Sequence, residues 1–193
     1  MNEFITIVSG LPRSGTSMMM KILDAGGKEV VIDNIRKADE DNPKGYYEFE
    51  RVKKIKTDSS WLNDTHGKAF KMVSMLLFDL PLDRQYKIVY MKRNLNEILV
   101  SQNRMLERMD RKNEVGDEEM KILFTKLQNQ AEDWLKRQKN FDTLYISYNE
   151  IMENPNNNMD TINQFLGGGL NTKKMLTVVD PTLYRNREKE GPM

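Results

Sequence analysis

The sequence predicts a single α/β domain built as a parallel sheet flanked by helices on both faces, and three observations carry that reading. Short β-branched runs alternate with amphipathic helical stretches, at the spacing of parallel strands joined by helical crossovers. The first run, "FITIV", passes at once into a glycine-framed turn and a helix, a P-loop-type arrangement. The length, 193 residues, suits one domain of ordinary size, and no internal repeat or low-complexity tract divides it. One domain over residues 1–193 is therefore expected, with residues 180–193 forming a polar tail.

Phe4 to Val8 reads as a buried parallel strand. The helix after it, Ser14 to Asp24, has Met18, Met19, Ile22 and Leu23 on one face and is stopped by Gly26 and Gly27. "EVVID" (Glu29 to Asp33) has strand composition, whereas "IRKADEDNPKGYY" is too polar and turn-rich for core and reads as a loop near a site. Tyr46 to Thr57 has helical spacing, and Ala69 to Val73 and Tyr86 to Met91 are two further strands. Asn94 to Met109 places Leu95, Ile98, Leu99 and Met105 on one side of a helix, and the charged stretch Asp110 to Glu119 is a connector. A long amphipathic helix over Asp117 to Lys139, a strand over Asp142 to Tyr148 and a helix over Pro155 to Leu166, ended by three glycines, complete the pattern.

Composition narrows the possible functions. Thirty basic residues face 29 acidic ones, so there is no overall attraction to nucleic acid or to an anionic membrane, and any anion site must be local. Arg104, Arg108, Arg111 and Lys112 are interspersed with acids and read as a solvated face. No cysteine is present, which excludes disulfides, thiol nucleophiles and thiolate metal sites and suits a reducing, cytoplasmic setting. No stretch approaches the roughly 20 apolar residues of a membrane span, and the start of the chain does not read as a signal peptide. The 14 methionines fall largely in helical runs, as core filler.

In "SGLPRSGTSMMM", residues 9 to 20, the glycines let the backbone curl around an anion while the following helix dipole points at it. A loop that grips the terminal phosphates of ATP has lysine before its magnesium-binding hydroxyl. Here Thr16 stands in that place and the nearest cation is Arg13. A second anion contact is suggested by "IVYMKRNLNEILVSQ", where Arg93 ends a strand and Ser101 lies in the next helix. Eight helical residues advance about 80° beyond two turns, leaving Ser101 on a face that Arg93 can overhang.

"PRSGTS" after a first strand, and a strand followed by arginine and, eight positions on, serine, resemble the two donor-binding motifs of sulfotransferases that use 3′-phosphoadenosine 5′-phosphosulfate (PAPS). The loop is similar to the arginine version common in bacterial and membrane-associated members. Weaker likeness extends through "NPKGYYEFE" and "LYISYNEIMENP", so that it spans residues 4 to 167, with Asn149 and Ile151 departing from the late Tyr-Glu-Asp-Leu pattern.

The resemblance implies transfer of a sulfuryl group from PAPS to a hydroxyl or amine, without a metal. A sulfonate carries one negative charge where a terminal phosphate carries nearly two, so one cation and main-chain N–H groups can serve. Arg13, Ser14, Gly15, Thr16 and Ser17 would hold the 5′-phosphosulfate, and Arg93 and Ser101 the 3′-phosphate. Arg185 and Arg187 in the tail would close over the donor or the acceptor. For the general base, Glu48 and the sole histidine, His66, compete. Lys71 and Ser74 could also face the sulfonate, although Lys71 reads first as an ordinary strand-edge lysine. A small-molecule kinase with an altered loop, or a nonenzymatic PAPS- or nucleotide-binding module, are the alternatives. The acceptor, a small molecule or glycan, is not specified by the sequence, nor is the oligomeric state.

Overall fold

The computed structural model describes residues 4–33, 35, 45–111 and 115–184. β1 (Phe4–Gly10) lies inside a parallel sheet between β2 (Ala69–Lys71) and β3 (Gln85–Lys92), and β4 (Phe141–Ser147) forms the far edge, in the order β2-β1-β3-β4. Register aligns the strand ends, with Val8 opposite Lys71, Gly10 opposite Met91 and Lys92 opposite Ser147. The loops leaving β1, β2, β3 and β4 therefore emerge at one edge. The chain passes from β1 to one side and returns on the other, which opens a crevice at the carboxyl ends of β1 and β3.

Alternation along the strands feeds two cores. Ile5, Ile7, Phe70, Tyr86, Ile88 and Tyr90 pack with Trp61, Leu62 and Leu77, and with Ala131 and Leu135 of α3 (Asp117–Arg137). Val8, Ala69, Val89 and Met91 face α1 (Thr16–Ala25), α4 (Tyr148–Glu153), α5 (Pro155–Phe165) and α6 (Thr172–Leu176). Methionines 19, 20, 152, 159 and 175 fill this second core. A small third cluster joins Leu11 of the first loop to Ile98 and Leu99 of α2 (Leu95–Arg108) and Phe124 of α3. That cluster fixes the loop against α2. Among the described residues no helix is long and apolar enough to cross a membrane.

Two expected elements do not form. Glu29 to Asp33 makes one bridge to the sheet edge, Val30 with Ala69, supported by Val31 N donating to Ala69 O. It then turns away, because the Asp33 carboxylate accepts from the main-chain N–H groups of Ile35 and Glu50, and β2 offers only three residues to pair with. Tyr46 to Thr57 is not a helix either. Tyr47 is left-handed at φ 52°, Phe49 is extended, and only Glu50–Lys54 winds into a 3₁₀ turn. The expected strand to Tyr148 ends one residue earlier, since the Ser147 hydroxyl accepts from Glu150 N and starts α4.

Glycine is required at the end of β1. A Cβ on Gly10, at φ +149°, would stand 2.5 Å from the carbonyl oxygen of Met91. Gly168, at φ +82°, has open space around it, so only backbone conformation resists substitution there. Gly10→Ala should cost about 3 kcal/mol and Gly168→Ala about 1 kcal/mol in urea unfolding. The reverse order would show that crowding at the strand end does not govern this turn.

Candidate active site

The loop of residues 10–15 rises from β1 at the crevice and enters α1 with Gly15 as its N-cap. Gly15 is left-handed at φ +98°, and a Cβ there would meet the Tyr148 ring at 2.5 Å. No side chain caps α1, so its first N–H groups and dipole are directed at the loop's concavity. Ser14 is fully buried and its hydroxyl has no hydrogen-bond partner. A cradle lined by main-chain donors, closed to side chains at both glycines and holding an unsatisfied hydroxyl, fits an anionic group.

Arg13 is left-handed at φ 66°, a conformation costly for a residue with a side chain. Its contacts hold it there. The side-chain Nε donates to Ser101 Oγ at 2.9 Å, and the main-chain carbonyl accepts from Arg93 Nη1 at 3.2 Å. Arg13 thus joins Ser101 and Arg93, the two residues whose spacing suggests a shared anion. Ser101 is 4% exposed, on the inner side of α2.

Arg93 leaves β3 and lies 4.2 Å from the Tyr148 ring centroid, so its guanidinium covers an aromatic face. Its Nε donates to Glu97 Oε2 at 2.9 Å, and the side chains are only 8% and 2% exposed. The Asn94 side chain caps α2 by accepting from Asn96 N and Glu97 N, which sets the helix where this i,i+4 pair can close. Burial pushes the Tyr148 phenol above its ordinary pKa, opposed by Arg93 and reinforced by Glu97, so the ring stays neutral. Beside it, an open groove of about 400 Å³ is lined by Arg93, Asn94, Ser147, Asn149 and Glu150, among others.

On the β2 side of the loop, Lys71 is not a solvated edge lysine. Its side chain is 12% exposed, donates to Ser17 Oγ at 3.1 Å and to Tyr46 O, and lies 3.6 Å from Glu48 Oε1. Ser17 in turn donates to Tyr46 O at 3.0 Å. Arg13, Ser14, Gly15, Thr16, Ser17, Arg93 and Ser101 are thereby gathered at one end of the sheet, with Lys71 and Glu48 beside them.

His66 is not part of this gathering. It is exposed in the turn before β2, and the neighbouring Gly67 N donates to Phe4 O at the start of β1, the opposite end of a parallel sheet. Ser74 is buried in the turn after β2. Arg185 and Arg187 lie outside the described residues. The sequence gives no site role to Glu97 or Tyr148, and marks Asn149 only as a departure from the late motif and Tyr184 only as a neighbour of the tail arginines, although the Arg93 to Glu97 spacing is a readable signal.

The sulfotransferase domain family matches residues 5–192. Sulfotransferase 1A1 of Mus musculus is 24% identical, over 97% of this chain and 67% of its own length. The Bos taurus enzyme of the same name is 22% identical, over 97% of this chain and 66% of its own. The chain thus spans about two thirds of the length of these relatives. Among solved structures, a mouse sulfotransferase complexed with PAP superposes with TM-score 0.53 at 15% identity, covering 93% of this chain and 63% of that one. A sulfotransferase from Alicyclobacillus acidocaldarius gives TM-score 0.52 at 14% identity, covering 88% of this chain and 84% of that one. These likenesses extend to the fold of the parallel sheet and its helices.

Replacing Arg93 leaves a buried carboxylate at Glu97 without its counter-ion. Arg93→Ala is expected to lower unfolding free energy by about 3 kcal/mol, read by urea denaturation at neutral pH. A loss under 1 kcal/mol would mean that Glu97 is satisfied without the arginine.

Proposed function

The chain belongs to the sulfotransferase domain family, and from that premise we propose that it transfers a sulfuryl group from PAPS to a hydroxyl or amine of a small-molecule or glycan acceptor. The observation that carries this reading is Arg13, a cation at the mouth of the α1 N-terminus, in a loop where Thr16 takes the position of the ATP-gripping lysine.

The donor supplies the sulfuryl group and a 5′-phosphate leaving group. In the proposed reaction the acceptor oxygen or nitrogen bonds to sulfur, the bond from sulfur to the bridging phosphate oxygen breaks, and the acceptor proton passes to a base. Arg13, with the main-chain N–H groups of residues 15–17, stabilises the negative charge that collects on the departing phosphate. The hydroxyls of Ser14 and Thr16 add donors, whereas the single Ser17 hydroxyl proton is given to Tyr46 O. Arg93 and Ser101 receive the donor's 3′-phosphate.

Glu48 is the base in this reading. Its support is position: it lies on the β2 side of the loop beside Lys71, whose own bond to Ser17 reaches the loop. Lys71 then adds a second cation near the sulfuryl group. His66, at the opposite sheet end, takes no part. Arg185 and Arg187 are assigned to closure over the donor by resemblance alone. The absence of cysteine and of a membrane-crossing helix among the described residues supports a cytoplasmic setting. The kinase alternative is disfavoured by family and by the lysine's absence from the loop, and the binding-only alternative by Lys71 and Glu48 standing beside it.

Calorimetry tests the donor assignment. 3′-Phosphoadenosine 5′-phosphate (PAP) should bind without magnesium and more tightly than ADP with magnesium; the opposite preference would sink sulfuryl transfer. Glu48→Gln should lower kcat by about a hundredfold while leaving the PAP dissociation constant unchanged, and His66→Ala should change neither. Full turnover by Glu48→Gln would remove this carboxylate as base.

A further inference from the structure

Glu97 takes no part in the proposed reaction, yet it is an ionisable side chain with 2% exposure beside the donor site. Both of its oxygens are engaged. Oε2 accepts from Arg93 Nε at 2.9 Å, while Oε1 accepts from the Tyr184 hydroxyl at 2.8 Å and from Asn149 Nδ2 at 3.1 Å. Tyr184 follows the last helical turn of the described chain, Pro181–Leu183, and lies 87 residues from Glu97 in sequence.

We propose that Glu97 is a positioning residue for Arg93 and that Tyr184 fixes Glu97, so that recognition of the donor's 3′-phosphate depends on a side chain from the end of the fold. The inference rests on the reading of Arg93 as the 3′-phosphate contact.

An arginine head has five N–H donors on a rigid plane attached to a flexible stem. Glu97 holds the Nε edge, Arg13 O holds one Nη1 hydrogen, and Tyr148 supports the face. Three directions are thus fixed, and Nη2 with the remaining Nη1 hydrogen is left for a ligand. Tyr184 acts twice. Its hydroxyl holds Glu97, and its ring packs at 5.6 Å and 80° against Tyr148, the same ring that Arg93 covers. Asn149 suits this arrangement because its Nδ2 donates to Glu97 while its Oδ1 accepts from Asn94 N at 3.3 Å. An acid at position 149 would instead set like charge against Glu97.

Positioning and simple charge make opposite forecasts. If Glu97 were only a nearby negative charge, neutralising it would strengthen binding of a phosphate at Arg93. If it orients Arg93, neutralising it frees the guanidinium and weakens binding of the one nucleotide that uses this pocket.

The experiment compares PAP with AMP, which lacks the 3′-phosphate, by calorimetry on the full chain, with thermal melts to verify folding. Glu97→Gln is expected to weaken PAP about tenfold and leave AMP unchanged, and Glu97→Asp to recover part of the loss. Tyr184→Phe, which keeps the ring, should weaken PAP about threefold and add nothing when combined with Glu97→Gln. Tighter PAP binding by Glu97→Gln, equal weakening of both nucleotides, or an undiminished Tyr184→Phe effect in the Glu97→Gln background would each overturn the proposal. Should Glu97→Gln not fold, an unaltered PAP to AMP ratio in Tyr184→Phe overturns it by itself. A wild-type protein that binds both nucleotides equally would reject the donor reading and this inference together, whereas wild-type preference for PAP that survives both variants rejects only the inference.

Discussion

The contact from Arg93 to the carbonyl of Arg13 holds the site in one shape. Arg13 occupies a left-handed conformation that costs on the order of 1–3 kcal/mol, and it persists because its surroundings determine it from several sides. Leu11 anchors the loop in the small core under α2, Ser101 takes the Arg13 side chain, and Arg93 takes its main chain. Arg93 is itself held by Glu97 and Tyr148, so segments following β1, β3 and β4 become one bonded unit. Loss of any one of these partners is felt at the loop, since the strained residue has no independent preference for its conformation.

Sheet order divides the work around that unit. With β1 inside the sheet, the loop after it has β2 on one flank and β3 and β4 on the other. The flank toward β3 and β4 carries Arg93 and Ser101, which the proposed function gives to donor recognition, with the Tyr148 ring against the Arg93 guanidinium. The β2 flank carries Lys71 and Glu48, which it gives to the acceptor side. Because the strands are parallel and in register, all of these residues leave the sheet at the same edge, and the uncapped N-terminus of α1 points into the space among them.

Charge is handled locally, as an almost neutral chain requires. Arg13 and Arg93 contribute two positive charges to a small volume, and Glu97 offsets one of them out of solvent. The groove beside Arg93 is open, so a ligand could reach the guanidinium without unfolding the contacts behind it.

Four strands, the glycine-framed loop after the first of them, and the placing of Arg93 and Ser101 within one crossover could be read directly from the sequence, because each leaves a short-range mark: β-branched runs, a glycine-framed turn before a helix, a fixed spacing between strand end and helix. Local pattern could not decide the fate of "EVVID", since its composition suits a strand but Asp33 takes the N–H groups of Ile35 and Glu50 and turns the chain off the sheet. Nor could it decide the environment of Lys71, which depends on Tyr46 arriving from 25 residues away, or the position of His66, which depends on strand direction. The sequence by itself determined the glycine-framed turn between the first strand and the first helix, and the residue types set in it. Tertiary structure alone decided which side chains hold Arg13 and which fix Glu97 beneath Arg93, because Asn149 and Tyr184 reach Glu97 only when the sheet and its last helices have closed, and contacts across such separations leave no periodicity to read.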